Sequence, residues 1–95
     1  MQTIERAVEI VDELIEQGRE SPFSYVAIKA KTIAYLLKDE TGEKNHAMPT
    51  CCAALKRRFR PGKDFFRRGK DRNQWSNEID GSETSTYEVL FEIDR

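Results

Sequence analysis

The sequence predicts an α+β domain: a three-helix bundle followed by a C-terminal two-stranded β-hairpin. Three observations carry that reading. Ile4, Ala7, Val8, Val11, Leu14 and Ile15 repeat at helical spacing near the N-terminus. Pro49 and Pro61-Gly62 bracket a segment with helix-start and helix-stop chemistry. Thr86 through Ile93 is rich in β-branched and aromatic residues that alternate along the chain. Ninety-five residues correspond to a single domain, 1–95, with a small core.

The first helix has Thr3 as its expected N-cap and Gly18 as the breaker just past its end. Glu5, Glu9, Asp12, Glu13 and Glu16 make its outer faces acidic, so it repels phosphates and serves as a packed support. Ser21-Pro22-Phe23-Ser24 interrupts the chain and is read as a short extended piece or a helix start. A second helix is expected from about Tyr25 or Ile28 to Lys38, with Ile28, Ile33, Leu36 and Leu37 inward. Residues 39–45 read as a polar loop with Gly42 as breaker. The third helix, about 49–60, directs Cys51, Ala54, Leu55 and Phe59 to the core and Lys56, Arg57 and Arg60 to solvent. Residues 64–68 form the first expected strand. Gly69 through Ser85 is a long polar turn, and Thr86–Ile93 is the second strand, burying Tyr87, Val89, Phe91 and Ile93. Trp75, inside the turn, reads as core beneath the hairpin or, alternatively, as a ring that stacks on a base.

Charge is unevenly placed. The formal net charge is -1, yet residues 56–72 carry nine basic and two acidic side chains, net +7. Residues 1–55 sum to -3 and residues 73–95 to -5. A concentrated cationic block on an acidic body attracts polyanions. Six of the nine are arginines, whose planar forks suit phosphates and guanine edges. The opposing interpretation is a solvated face balanced by neighbouring acids such as Glu88 and Glu92.

Other chemistries find little support. Cys51 and Cys52 are adjacent, which argues against a disulfide framework and for a reducing compartment. They are expected to be structural thiols, at least one buried against the second helix. A metal site with His46 would lack a fourth ligand and matches no usual zinc spacing, so neither metal nor cofactor is expected. The longest stretch without a charged or histidine residue is Ala47 to Leu55, nine residues, against roughly 20 for a membrane span. Acidic residues stand where a secretory signal would be apolar, so a cytoplasmic location is expected. With one histidine, no phosphate-binding glycine loop and no nucleophile–base pair, the chain does not read as an enzyme.

Three helices followed by a hairpin resemble the winged helix-turn-helix family over essentially the whole chain. In that resemblance Ile28–Lys38 matches the first helix of the turn motif and Pro49–Arg60 the recognition helix. Phe65–Arg68 and Thr86–Ile93 match the wing strands, with Lys70 to Glu83 as the wing. The loop before the third helix is longer than in the plainest members, and the wing ends acidic. The resemblance implies duplex DNA as partner, in transcriptional regulation or as an accessory factor. The recognition helix, about 49–60, would present Thr50, Lys56, Arg57 and Arg60 to the groove. A basic wing, about 63–75, would hold phosphates with Lys63, Arg67, Arg68, Lys70 and Arg72 and reach a groove with Asn73. Thr50 could equally cap its helix. Alternatives are RNA binding by the same surface, or a protein-interaction module on this scaffold. A homodimer is also expected, because the stripe Ile4, Val8, Val11 and Ile15 offers more apolar surface than one small core absorbs.

Overall fold

The computed structural model describes residues 4–41, 48–67, 74–78 and 86–94. Thr3, the loop residues 42–47 with His46, and the turn residues 68–73 and 79–85 lie outside the described residues. The elements run α1 (Ile4–Gly18), β1 (Tyr25–Lys29), α2 (Ala30–Thr41), α3 (Met48–Arg58), β2 (Phe65–Arg67) and β3 (Glu88–Glu92). Among the described residues the fold is α+β, with three helices and a three-stranded antiparallel sheet of order β1-β3-β2.

The helical stripe of α1 is absorbed by the chain's own core. Ala7, Val8, Ile10 and Val11 are buried, and Ile4, Leu14 and Ile15 pack against them. The physical ground for a dimer through this stripe is thereby removed. Gly18 is the last helical residue and has no positive φ, so it is not the left-handed cap that its position suggests. Close approach explains it. A Cβ there would stand 3.2 Å from Val26 Cβ and 3.3 Å from Ile93 Cδ1. Glycine lets the end of α1 lie against the sheet.

Tyr25–Lys29 corrects the expected start of the second helix: it is a strand. Tyr, Val and Ile favour a pleated surface, and pairing with β3 in the register Tyr25↔Glu92 through Lys29↔Glu88 decides the outcome. The C-terminal hairpin is therefore two strands of three, with β3 in the centre. Helix α2 starts only at Ala30, whose N–H bonds to Tyr87 O at 2.9 Å, and continues to Thr41. Neither glycine nor proline stands before Gly42 to end it sooner.

The expected alternation in the last strand is present. Tyr87, Val89, Phe91 and Ile93 are all buried, with Val26, Ile28 and Phe66 on the same face of the sheet. The Phe66 and Tyr87 rings pack at 4.5 Å between centroids. Against this face lie Ile33 and Leu37 of α2 and Cys51, Cys52, Ala54 and Leu55 of α3. Both thiols are buried, as expected of at least one, and burial pushes the Cys51 thiol above its ordinary pKa. No metal-holding group of acids, cysteines and histidine occurs among the described residues, and no described helix is long and apolar enough to cross a membrane.

Candidate nucleic-acid interface

Helix α3 has two faces set by its sequence. Cys51, Cys52, Ala54, Leu55 and Phe59 turn inward, and Pro49, Thr50, Ala53, Lys56 and Arg57 form the other side, half-buried or exposed. Small residues in its first turns let it pack closely on α1 and α2, leaving its long cations at the C-terminal end. Lys56, Arg57 and Arg58 occupy the last turn, where positive charge complements the helix dipole. Thr50 is half-buried inside the first turn of a helix that begins two residues earlier at Met48, so it does not stand at the cap position that was its alternative reading. Arg57 is exposed and has no ionic partner among the described residues. Lys56 is half-buried, its Nζ 5.9 Å from the centroid of the Tyr87 ring.

The remaining cations of this region among the described residues, Arg58, Arg60, Lys63 and Arg67, have acids beside them. Arg58 makes a two-pronged contact with Asp12 of α1, Nε to Oδ1 at 2.8 Å and Nη2 to Oδ2 at 3.0 Å. That hydrogen-bonded carboxylate raises the Arg58 pKa further. Arg60 lies at the centre of a clasp between the end of α3 and the sheet. Its backbone N–H and Nε both donate to Asp64 Oδ2, at 2.7 and 3.0 Å, and Nη2 donates to Asp64 Oδ1 at 2.9 Å. Nη2 also reaches Glu92 O at 2.6 Å, while Nη1 pairs with Asp94. These contacts, Asp64 first, raise the arginine's already high pKa. Lys63 Nζ joins from the turn, 3.0 Å from Asp94 Oδ1. Lys63 and then Arg60 hold the Asp94 carboxyl below the usual aspartate value.

Asp64 was expected at the start of a strand. Instead it is fully buried in the turn before β2, and its Oδ1 also accepts the Glu92 N–H at 2.9 Å. A buried carboxylate needs donors to replace water, and backbone and guanidinium N–H groups supply them. Gly62, at φ 85°, lets the chain double back so that Asp64 meets Arg60. A sequence signal existed: arginine and aspartate four residues apart across a Pro-Gly turn. Asp12 carried none, being 46 residues from Arg58.

A further row crosses the outer face of the sheet. Lys29, Glu88 and Arg67 are register neighbours on β1, β3 and β2. Arg67 Nε lies 2.8 Å from Glu88 Oε1, and Glu88, expected on a wet face, is only 4% exposed. Residue Ser76 returns to pair with Phe66, N to O at 2.7 Å in both directions. That bridge brings Trp75 over the Arg67 guanidinium, 4.2 Å from ring centroid to Cζ. The tryptophan is half-buried on this outer face, outside the core that was its first reading.

The sequence-predicted site residues thus divide into three groups. Thr50, Lys56 and Arg57 share the outward side of α3. Arg60, Lys63 and Arg67 contact acids of the same chain. Arg68, Lys70, Arg72 and Asn73 lie outside the described residues. Comparison with family models, with curated proteins and with solved structures finds no match to this chain.

Proposed function

We propose that the chain is a winged-helix nucleic-acid-binding protein that engages duplex DNA through the outer side of α3 and the basic segment after β2. A role in transcriptional regulation or as an accessory factor follows from that reading. The observation that carries it is the two-sided α3, with a packed inner face and Arg57 exposed beside Lys56 at its cationic end. The element order lends support. Three helices precede the two C-terminal strands β2 and β3, the order on which the resemblance rests, and β1 adds a third strand to that hairpin. Arg68, Lys70 and Arg72 extend the cationic segment beyond β2.

Fluorescence anisotropy with duplex DNA, single-stranded DNA and structured RNA at two salt concentrations tests the reading. Duplex affinity is expected to fall steeply with salt as counterions are released. Arg57→Ala should weaken duplex binding by roughly tenfold, within the range of one arginine–base contact. Replacing Arg68, Lys70 and Arg72 together should lower the salt slope by about one per contact removed. Arg19→Ala, at the end of α1, is the control. No duplex binding at low salt would refute the proposal. A second reading, a protein-interaction module, draws on Arg58, Arg60 and Lys63 pairing internally and on the exposed Tyr25 of the sheet. Structured RNA bound in preference to duplex would reassign the same surface.

A further inference from the structure

Strand β1 is an edge strand with one side in use. Its ladder to β3 is flanked by Ile93 N–H to Ser24 O and Ala30 N–H to Tyr87 O, both 2.9 Å. In an antiparallel ladder, residues alternate between bonding the partner strand and facing away from it. Ser24, Val26, Ile28 and Ala30 therefore bond toward β3. Tyr25, Ala27 and Lys29 turn their N–H and C=O groups to the opposite edge. Among the described residues no strand pairs with that edge. Edge strands are often blunted by charged residues, by proline, by a bulge or by a covering element. Here the centre is Ala27, and the one charge of the strand, Lys29, stands at its end.

We propose that this edge is a homodimer interface, on which a second copy of the chain lays its own β1 antiparallel about a two-fold axis at Ala27. The occupant follows from the self-complementarity of the strand. Centring on Ala27 matches outward-facing groups with outward-facing groups, so the backbone bonds form without any change inside either protomer. The smallest side chain meets itself at the axis. Lys29, exposed and without a partner among the described residues, comes opposite the partner's Tyr25, a ring that is 39% exposed. An ammonium beside an aromatic face is attractive, and the partner's Glu92 stands one strand beyond. The two lysines lie about 14 Å apart along the strands, so their repulsion is weak. On the helix side Val26, only half-buried, meets the partner's Ile28. Two three-stranded sheets become one of six strands. The inference is independent of the nucleic-acid reading.

Light scattering of the whole chain, up to about 1 mM at the weak end of association, should give twice the 11.0 kDa of one chain. Ala27→Pro removes an N–H that the protomer does not use, so it should leave circular dichroism unchanged and hold the mass at 11.0 kDa. Lys29→Glu should weaken association by about tenfold. Should the proline variant not fold, hydrogen exchange of the wild-type Ala27 and Lys29 amides decides. Exchange that slows with protein concentration supports the interface. A monomer throughout, a dimer that survives in folded Ala27→Pro, or exchange independent of concentration overturns it.

Discussion

Asp64 is the residue on which the join between α3 and the sheet depends. Its two oxygens accept two backbone N–H groups and the guanidinium of Arg60, and the side chain is fully buried. Asp64→Ala would leave the Arg60 and Glu92 backbone N–H groups without their acceptor, while the Arg60 guanidinium keeps Asp94 and Glu92 O, and should cost about 2–3 kcal/mol in urea denaturation. Asp64→Asn keeps one acceptor and should cost less. Asp94 behaves differently because it is exposed. Lys63 and Arg60 lower its pKa in the folded chain, so its contribution is present above the ordinary value of 3.8 and is lost as pH falls through the lower folded value. An acid titration of stability should therefore show a shallower decline below 3.8 for Asp94→Asn than for the wild type. An identical acid limb in both proteins would rule out that ion pair as a source of acid sensitivity.

At the scale of elements, the turn from α3 to β2 is the most constrained. Gly62 has φ 85° with nothing within 4 Å of a Cβ built there, so space is not what requires glycine. The backbone conformation requires it. Gly62→Ala should destabilise the chain by about 1 kcal/mol through left-handed strain alone, measured by the shift of its urea midpoint. The boundaries of α3 were legible because Pro49, Pro61 and Gly62 act locally on the backbone. Strand β1 was not, because five residues containing Tyr, Val and Ile are compatible with a helix start until a partner strand is supplied. That partner, β3, lies some sixty residues further along the chain.

Across the whole molecule, the question is how much of the +7 block faces outward. Arg58 and Asp12 tie α3 to α1 at the surface, both about half exposed. An ion pair of that kind contributes at most about 1 kcal/mol. Asp12→Asn should thus leave the thermal melt nearly unchanged while releasing Arg58 and removing an opposing charge. If α3 meets duplex DNA, the same variant should bind more tightly and with a steeper salt dependence. Unchanged affinity would place Arg58 and Asp12 away from the bound strand.

The sequence by itself determined the α+β class, the inward face of α1, the limits of α3 and the buried alternation of Tyr87, Val89, Phe91 and Ile93. Each depends on local periodicity or on proline and glycine acting on their own backbone. It also showed a cationic segment and placed Arg57 on the outward side of a helix. Tertiary structure alone decided that Tyr25–Lys29 is a strand and that Arg58 meets Asp12. It likewise placed Arg67 between Glu88 and Trp75, and buried Asp64 between Arg60 and the Glu92 backbone. Those outcomes are long-range: a charge in a one-dimensional chain has no partner until folding brings one within hydrogen-bond distance, and a strand has no edge until a sheet exists.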